Sequence, residues 1–191
     1  MAILDYIFGI SYRKIKQKLK FLYDIDVCIA SIYKWIRAFS SKIAIAKEKK
    51  ERKLIAVDET VIKNQGRKLW IWAAIDVNSK EMLVVHISIY RNGIEAKTFL
   101  KKVLELCSNK PLILVDRGPW YNYAVEWLKI DCLKQTFGKR NAIEYLFKLV
   151  KDRTRSFYNN FGSKYLHRAI ACIYLFLNMF NYWYKEMRDI C

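Results

Sequence analysis

Asp58, Asp116 and Glu144 come from three separate segments of the chain, and each has a local setting suited to metal chemistry. Asp58 ends the apolar run Leu54-Ile55-Ala56-Val57, Asp116 ends Leu112-Ile113-Leu114-Val115, and Glu144 lies near the start of a helix-patterned segment from Asn141 to Phe157. A Mg²⁺ ion takes one or two carboxylates and leaves its other positions to water and phosphate oxygens. Three carboxylates can therefore serve two ions. Two ions about 4 Å apart can activate an attacking oxygen and stabilise a leaving one, which is the chemistry of cutting or joining a nucleic-acid backbone.

The remaining polar residues compete weakly for these roles. Glu59 adjoins Asp58 and, by strand alternation, points to the opposite side. Asp76 precedes Asn78-Ser79, where Asp commonly serves a turn, and Glu126 and Asp131 follow no apolar strand. His86 and His167 are either general bases or, among apolar neighbours, structural; metal-bound water needs neither. The five cysteines contain no C-x-x-C pair, which argues against zinc and against a disulfide framework. Trp70, Trp72 and Tyr121 are either stacking platforms for bases or ordinary core aromatics.

The elements that must position the acids follow from periodicity. Segments 53–63, 69–77 and 82–90 are rich in Ile, Val, Trp and Tyr and are separated by Gln65-Gly66 and Asn78-Ser79, which predicts an antiparallel meander. A helix over 94–107, a buried strand over 112–115, a helix over 121–128, a short strand over 132–136 and the Glu144 helix come next. The order β-β-β-α-β-α-β-α is that of a ribonuclease-H-like core, an α/β fold with a mixed sheet flanked by helices. In it the first strand lies beside the strand after the first crossover helix, bringing Asp58 to Asp116. On the Glu144 helix, Lys148, Lys151 and Arg155 follow at i+4, i+7 and i+11 and share its stripe. This is either a phosphate-facing row or an exposed helix with an ordinary Glu-to-Lys pair.

Residues 1–40 read differently. Tyr12, Ile15, Leu19 and Leu22 recur at helical spacing among Arg13, Lys14, Lys16, Lys18 and Lys20; Ile29, Ile32, Tyr33 and Ile36 repeat the pattern. With a turn at about Tyr23 to Val27, this predicts a helix-turn-helix presenting Ser31, Lys34 and Arg37 to a DNA major groove, or a small helical hairpin with solvated lysines. The charge-rich run Lys47 to Lys53 marks a linker over 41–53, followed by a core over 54–164. The aromatic segment 165–191 is expected to pack on the core or at a subunit interface. It is shorter in apolar length than a membrane span. A net charge of +17 favours a polyanionic partner, with a ribosome-associated or membrane-surface role as the compositional alternative. The N-terminus lacks the pattern of a signal peptide, so a cytoplasmic, nucleoid-associated location is expected.

Taken together, the segments Gly9 to Ile15, Ser31 to Ile36, Val57-Asp58-Glu59-Thr60, Leu69 to Asp76, Asp116 to Tyr121, Arg140 to Glu144 and Lys151 to Phe157 resemble, in order, the insertion-sequence transposases with a D-D-E core related to retroviral integrases. Asp24 stands where that family often has a turn glycine, and Cys28 where a serine commonly caps the second helix. The resemblance implies that Asp58, Asp116 and Glu144 are the catalytic, metal-binding acids, with Mg²⁺ as cofactor and Mn²⁺ as a substitute. It implies that Lys151 contacts the element's end. The expected partners are double-stranded DNA, as transposon ends and as target, and further copies of the chain; no membrane and no small-molecule cofactor are expected. A nuclease of the same fold and an inactive DNA-binding remnant are the alternatives.

Overall fold

The computed structural model describes residues 1–42, 48–64, 66–134, 141–154 and 166–188. The chain divides into two compact units, one of Ala46–Lys148 and one combining Met1–Ile45 with Leu149–Cys191.

The Ala46–Lys148 unit is built on a five-stranded sheet. Strands β1 (Leu54–Asn64), β2 (Arg67–Asp76) and β3 (Met82–Ser88) form the antiparallel meander, and β4 (Leu112–Val115) and β5 (Cys132–Lys134) add in parallel on the other side of β1, giving the order β3-β2-β1-β4-β5. β2 is buried along Ile71 to Asp76, so both of its faces are covered, which accounts for its unbroken apolar run. Helix α4 (Gly93–Glu105) begins where the Asn92 side chain accepts the Glu95 N–H, and it buries Ala96, Phe99, Leu100 and Val103. Helix α5 (Pro119–Leu128) starts with proline at its first position and ends at Lys129 in the left-handed conformation. Both helices pack over Ile55, Val57, Trp72, Ala74, Ile113 and Val115. Trp72 and Tyr121 are fully buried in this core, so neither is a base platform.

The charged run before β1 is not a free linker in its second half. Lys50 bridges to Cys107, and Arg52 is buried: its backbone N–H donates to Asn109 and its guanidinium to Asp76 and Glu81. Charge density alone predicts a solvated segment. Two acids waiting at the β2–β3 turn reverse that outcome.

In the other unit, α1 (Ala2–Ile7), α2 (Tyr12–Tyr23) and α3 (Ile29–Lys42) pack together, with Ile15, Leu19, Ile32 and Ile36 buried at the contact. Leu22, Ile29 and Tyr33, expected on the same apolar stripes, lie exposed because the stripe buries only where the helices meet. Asp24 terminates α2 at φ 54°, a left-handed position that a short polar side chain tolerates better than most. Cys28 does cap α3: its sulfur accepts the Ser31 N–H at 3.4 Å and sits 3.2 Å from the Ser31 hydroxyl, and the contacts to Ser31 lower the thiol pKa.

Helix α7 (Leu166–Arg188) packs on α1 and α3, where sequence reasoning expected the core or a subunit interface. Aromatic pairs make the contact: Tyr6 with Phe176, Phe8 with Trp183, and Phe39 with Tyr182. Helix α6 (Asn141–Thr154) spans the division between the units. Among the described residues no helix is long and apolar enough to cross a membrane.

Candidate metal centre

The parallel pairing of β1 with β4 sets the site. Leu54, Ile55 and Ala56 pair with Leu112, Ile113 and Leu114; continuing that register by two residues brings Asp58 level with Asp116. Beyond Ala56 the pairing to β4 ends, and among the described residues no strand continues it along this edge of β1. Asp58 and Glu59 belong to opposite faces of the strand, with Glu59 opposite Trp72 on the α4 and α5 side. Their carboxylates still converge with that of Asp116: one oxygen from each lies within 4.8 Å of the others. Alternation fixes only the direction in which each Cβ leaves the strand, and the carboxylate oxygens further out along Asp58 and Glu59 can still reach one another beyond the end of β4.

Three acids this close repel. Two unit negative charges at that separation cost about 3.5 kcal/mol at an effective dielectric of about 20, so the cluster holds a proton or a cation. Glu59 shows the effect directly. Its side chain is 3% exposed, and burial pushes its carboxyl up to about 7; the Tyr121 hydroxyl, donating to Oε2 at 2.7 Å, opposes the rise, while Asp116 and Asp58 add to it. Burial and the neighbouring Glu59 hold the Tyr121 phenol well above its ordinary value, so it remains a donor. The donor set is all oxygen, with no histidine or cysteine among the three, and such a set fits Mg²⁺ or Mn²⁺ rather than zinc.

Short-range contacts fix the Asp116 end. Asp116 Oδ1 accepts the Gly118 N–H at 2.8 Å. A Cβ at Gly118 would lie 2.4 Å from the Trp120 ring and 2.8 Å from Asp116 Oδ1, so the turn closes only around glycine. Asp58 Oδ1 accepts the Glu59 N–H at 2.9 Å.

Glu144 is exposed in the first turn of α6 and does not complete a three-carboxylate group with Asp58 and Asp116. Lys148 and Lys151 are exposed on the same helix, and Arg155 lies outside the described residues. In the N-terminal helices Arg13, Lys14, Lys34 and Arg37 are exposed; Ser31 is half-buried with its hydroxyl against Cys28. Asp76 serves its turn as expected, accepting the Asn78 and Ser79 N–H groups. His86 is structural, held between Glu95 at 2.8 Å and Lys102 at 3.1 Å; burial lowers its pKa, with the Glu95 contact opposing the fall.

Sequence reasoning missed Glu59, set aside by alternation, and Arg91. The Arg91 guanidinium lies between the rings of Trp70 and Trp120, 4.0 and 4.1 Å from their centroids, with Nη1 3.8 Å from Glu59 Oε1. A single arginine at a strand-to-helix junction carries no periodic signal. Only the fold brings the two tryptophans to it.

A mixed sheet of this order, with two acids beyond the end of the β1–β4 pairing, is the ribonuclease-H-like fold that integrase catalytic cores share. Solved structures agree on the fold: the HTLV-2 integrase catalytic core domain in complex with magnesium, in its trimeric form, aligns at TM-score 0.50 and 14% identity over 66% of this chain and 86% of its own. A simian T-cell lymphotropic virus intasome structure aligns at 0.52 and 12% identity over 91% of this chain and 66% of its own. Among curated proteins, an uncharacterized protein of Methanocaldococcus jannaschii is 38% identical over 98% of this chain and 86% of its own length. The transposase for insertion sequence element IS257 of Staphylococcus aureus is 24% identical over 87% of this chain and 78% of its own. Residues 53–182 match the DDE domain of IS240-type transposases, and the chain belongs to that family. It is a DDE transposase by family and fold, and that membership implies a divalent metal at its acids.

Proposed function

We propose that this transposase binds the terminal inverted repeats of its own insertion sequence through residues near 9–39 and carries out metal-dependent cleavage and strand transfer at Asp58, Asp116 and Glu144. The observation that carries this reading is the convergence of Asp58 and Asp116, from two parallel strands, beyond the end of the β1–β4 pairing. Asp58 and Asp116 would hold the divalent ion, Mg²⁺ or Mn²⁺, and Glu144 would complete the set from α6. When bound, the metal supplies charge neutralisation at the reacting phosphate and a nucleophilic water at neutral pH.

The chain's own residues supply the rest. Tyr121 donates a hydrogen bond to Glu59, and the raised carboxyl of Glu59 takes up the proton that relieves the repulsion of the cluster until cations arrive. Lys148 and Lys151 follow Glu144 on α6, and together with Arg155, which lies outside the described residues, they would neutralise phosphates of the bound end. The exposed Arg13, Lys14, Lys34 and Arg37 suit the terminal repeat; Ser31, occupied by Cys28, is a helix-start residue before it is a base contact. Two ends processed together call for a homo-oligomer.

The test uses a duplex made from the DNA flanking the reading frame and a supercoiled target, with Mg²⁺ and then Mn²⁺. Joined product that disappears in Asp58→Ala, with repeat binding retained, is the expected result. Nicking without joining would indicate a nuclease, and inactivity in both metals would indicate a DNA-binding remnant.

A further inference from the structure

Arg91 is built into the site as a fixed cation with its donors unspent. Its guanidinium carbon lies over two indole rings, 4.0 Å from the centroid of Trp70 on β2 and 4.1 Å from that of Trp120 at the start of α5. Stacking of this kind fixes the plane of the group and removes water from its faces while leaving the N–H donors, which point along the edge, free to act. Its nearest acid oxygen, on Glu59 at 3.8 Å, is within ion-pair range and beyond hydrogen-bond range. Among the described residues no hydrogen bond consumes any of its five donors. The side chain is 39% exposed, so the edge reaches solvent beside the carboxylates.

The clamp is tied to the metal centre through covalent neighbours. Trp120 packs on Gly118, whose N–H is held by Asp116, and Glu59 belongs to the carboxylate cluster itself. An arginine serving only to neutralise Glu59 would close on it to hydrogen-bonding distance. This one is held off by two indoles.

We propose that Arg91, clamped between Trp70 and Trp120, is a phosphate-binding residue that grips the DNA strand at a phosphodiester next to the one being cut. The inference rests on the strand-cleavage reading above and adds to it a substrate contact outside the three acids. A planar guanidinium edge matches two oxygens of a phosphate, a match lysine does not reproduce.

The experiment measures two quantities on the full chain with the flanking-DNA duplex. The first is the salt dependence of binding in Ca²⁺, by fluorescence anisotropy, for the wild type, Arg91→Ala, Arg91→Gln and Arg91→Lys. The loss of one phosphate contact lowers the slope of log K against log salt by about 0.9. Alanine and glutamine should show that loss, and lysine should keep the slope. The second is the cleavage rate in Mn²⁺, where lysine should fall about tenfold despite its retained charge. Asp58→Ala, measured alongside, should abolish cleavage. A slope identical in the wild type, Arg91→Ala and Arg91→Gln overturns the Arg91 assignment while leaving the cleavage reading intact. Undiminished cleavage by Asp58→Ala overturns the cleavage reading, and the slope then still decides whether Arg91 touches phosphate. The glutamine variant keeps a polar stem in the clamp, so the result does not depend on the alanine variant folding.

Discussion

Asp76 and Glu81 flank the β2–β3 turn and share one buried arginine: Arg52 Nη1 lies 2.9 Å from Asp76 Oδ2 and 3.3 Å from Glu81 Oε2, and Lys50 reaches Glu81 at 3.2 Å. A few residues along the same sheet, Asp58, Glu59 and Asp116 crowd within 4.8 Å, and the Arg91 guanidinium is held 3.8 Å from Glu59. The two groups are similarly hidden from solvent and oppositely resolved. Burial would raise Asp76, but the Ser79 N–H, Arg52 and the Asn78 N–H outweigh it and hold the carboxyl below its ordinary value. Burial would likewise raise Glu81, and Lys50 and Arg52 reverse it. For Glu59, burial wins over the Tyr121 hydroxyl and the more distant Arg91, and the carboxyl goes up to about 7. Three acids gathered within 4.8 Å, one of them with a raised carboxyl, form a donor set whose repulsion an entering divalent cation would relieve.

The sharpest way to break the comparison is to neutralise one acid in each group. Asp58→Asn and Asp116→Asn remove ligands and relieve repulsion, so cleavage in Mn²⁺ should fall by at least ~1000-fold, about 4 kcal/mol of barrier, while the melting temperature holds or rises. Arg52→Ala has the reverse profile. It strands the buried Asp76 and takes one of two cations from the half-buried Glu81, and breaking a buried pair from one side costs about 3–5 kcal/mol. Chemical denaturation should show that loss. If Asp58→Asn instead unfolds the protein as Arg52→Ala does, the two groups are alike and the metal-centre reading loses its main physical support.

The pH dependence of stability should carry opposite signs. Glu59 has a folded-state pKa above its unfolded one, so its contribution is fully present below the ordinary value of 4.5 and is lost as pH rises toward about 7. That shift corresponds to about 3 kcal/mol at most, and Glu59→Gln should flatten it. Asp76 and Glu81 are lowered, so their contribution is present above the ordinary carboxylate range and is lost as pH falls through their folded-state values. Denaturation of metal-free wild type, Glu59→Gln and Asp76→Asn across pH 3 to 8 (roughly the span of these groups) separates the two limbs. An unchanged slope between 4.5 and 7 in Glu59→Gln would assign that limb to other groups.

Metal binding gives a smaller effect of the same origin. A cation entering beside Glu59 favours its ionised form, so Mn²⁺ binding near pH 6.5 should release a fraction of a proton. Calorimetry in two buffers of different ionisation enthalpy reads that release. Asp58→Asn should not bind the ion, and Glu59→Gln should bind it without proton release.

How far the sequence reaches differs between the two groups for the same reasons. The strands and helices of the sheet unit were legible because each apolar run has one period and a turn on either side, and β4 agrees residue for residue over Leu112–Val115. Asp58 and Asp116 were legible because each ends such a run and the parallel pairing follows from the order of the elements. Glu59 was hidden because alternation gives the face from which a side chain leaves the strand and says nothing of where its carboxylate ends. Arg52 was hidden inside a charged run whose average hides a single buried member, and Arg91 because its two tryptophans, Trp70 and Trp120, are distant in sequence. The place of α7 was illegible for another reason: an aromatic face says that something covers it, and the covering partners Tyr6, Phe8 and Phe39 carry no mark of their own.

Lys50 provides the finest division, between counting charges and burying them. It contacts Glu81 at 3.2 Å, a shorter distance than Arg52 makes to the same acid, yet it is 51% exposed where Arg52 is 1% exposed. Half in water, Lys50 is screened and loses side-chain entropy to hold its partner, so an ion pair of this type contributes about 0–1 kcal/mol. Lys50→Ala should therefore cost only a few tenths of a kcal/mol to about 1 kcal/mol, and that loss should shrink in 1 M NaCl, where the screening length is about 3 Å. The loss from Arg52→Ala should survive the same salt. A Lys50→Ala loss as large and as salt-resistant as that of Arg52→Ala would mean that the Asp76–Glu81 group responds to the number of cations around it. The metal-centre acids would then differ from it only in count, and burial would no longer be the variable that separates the two.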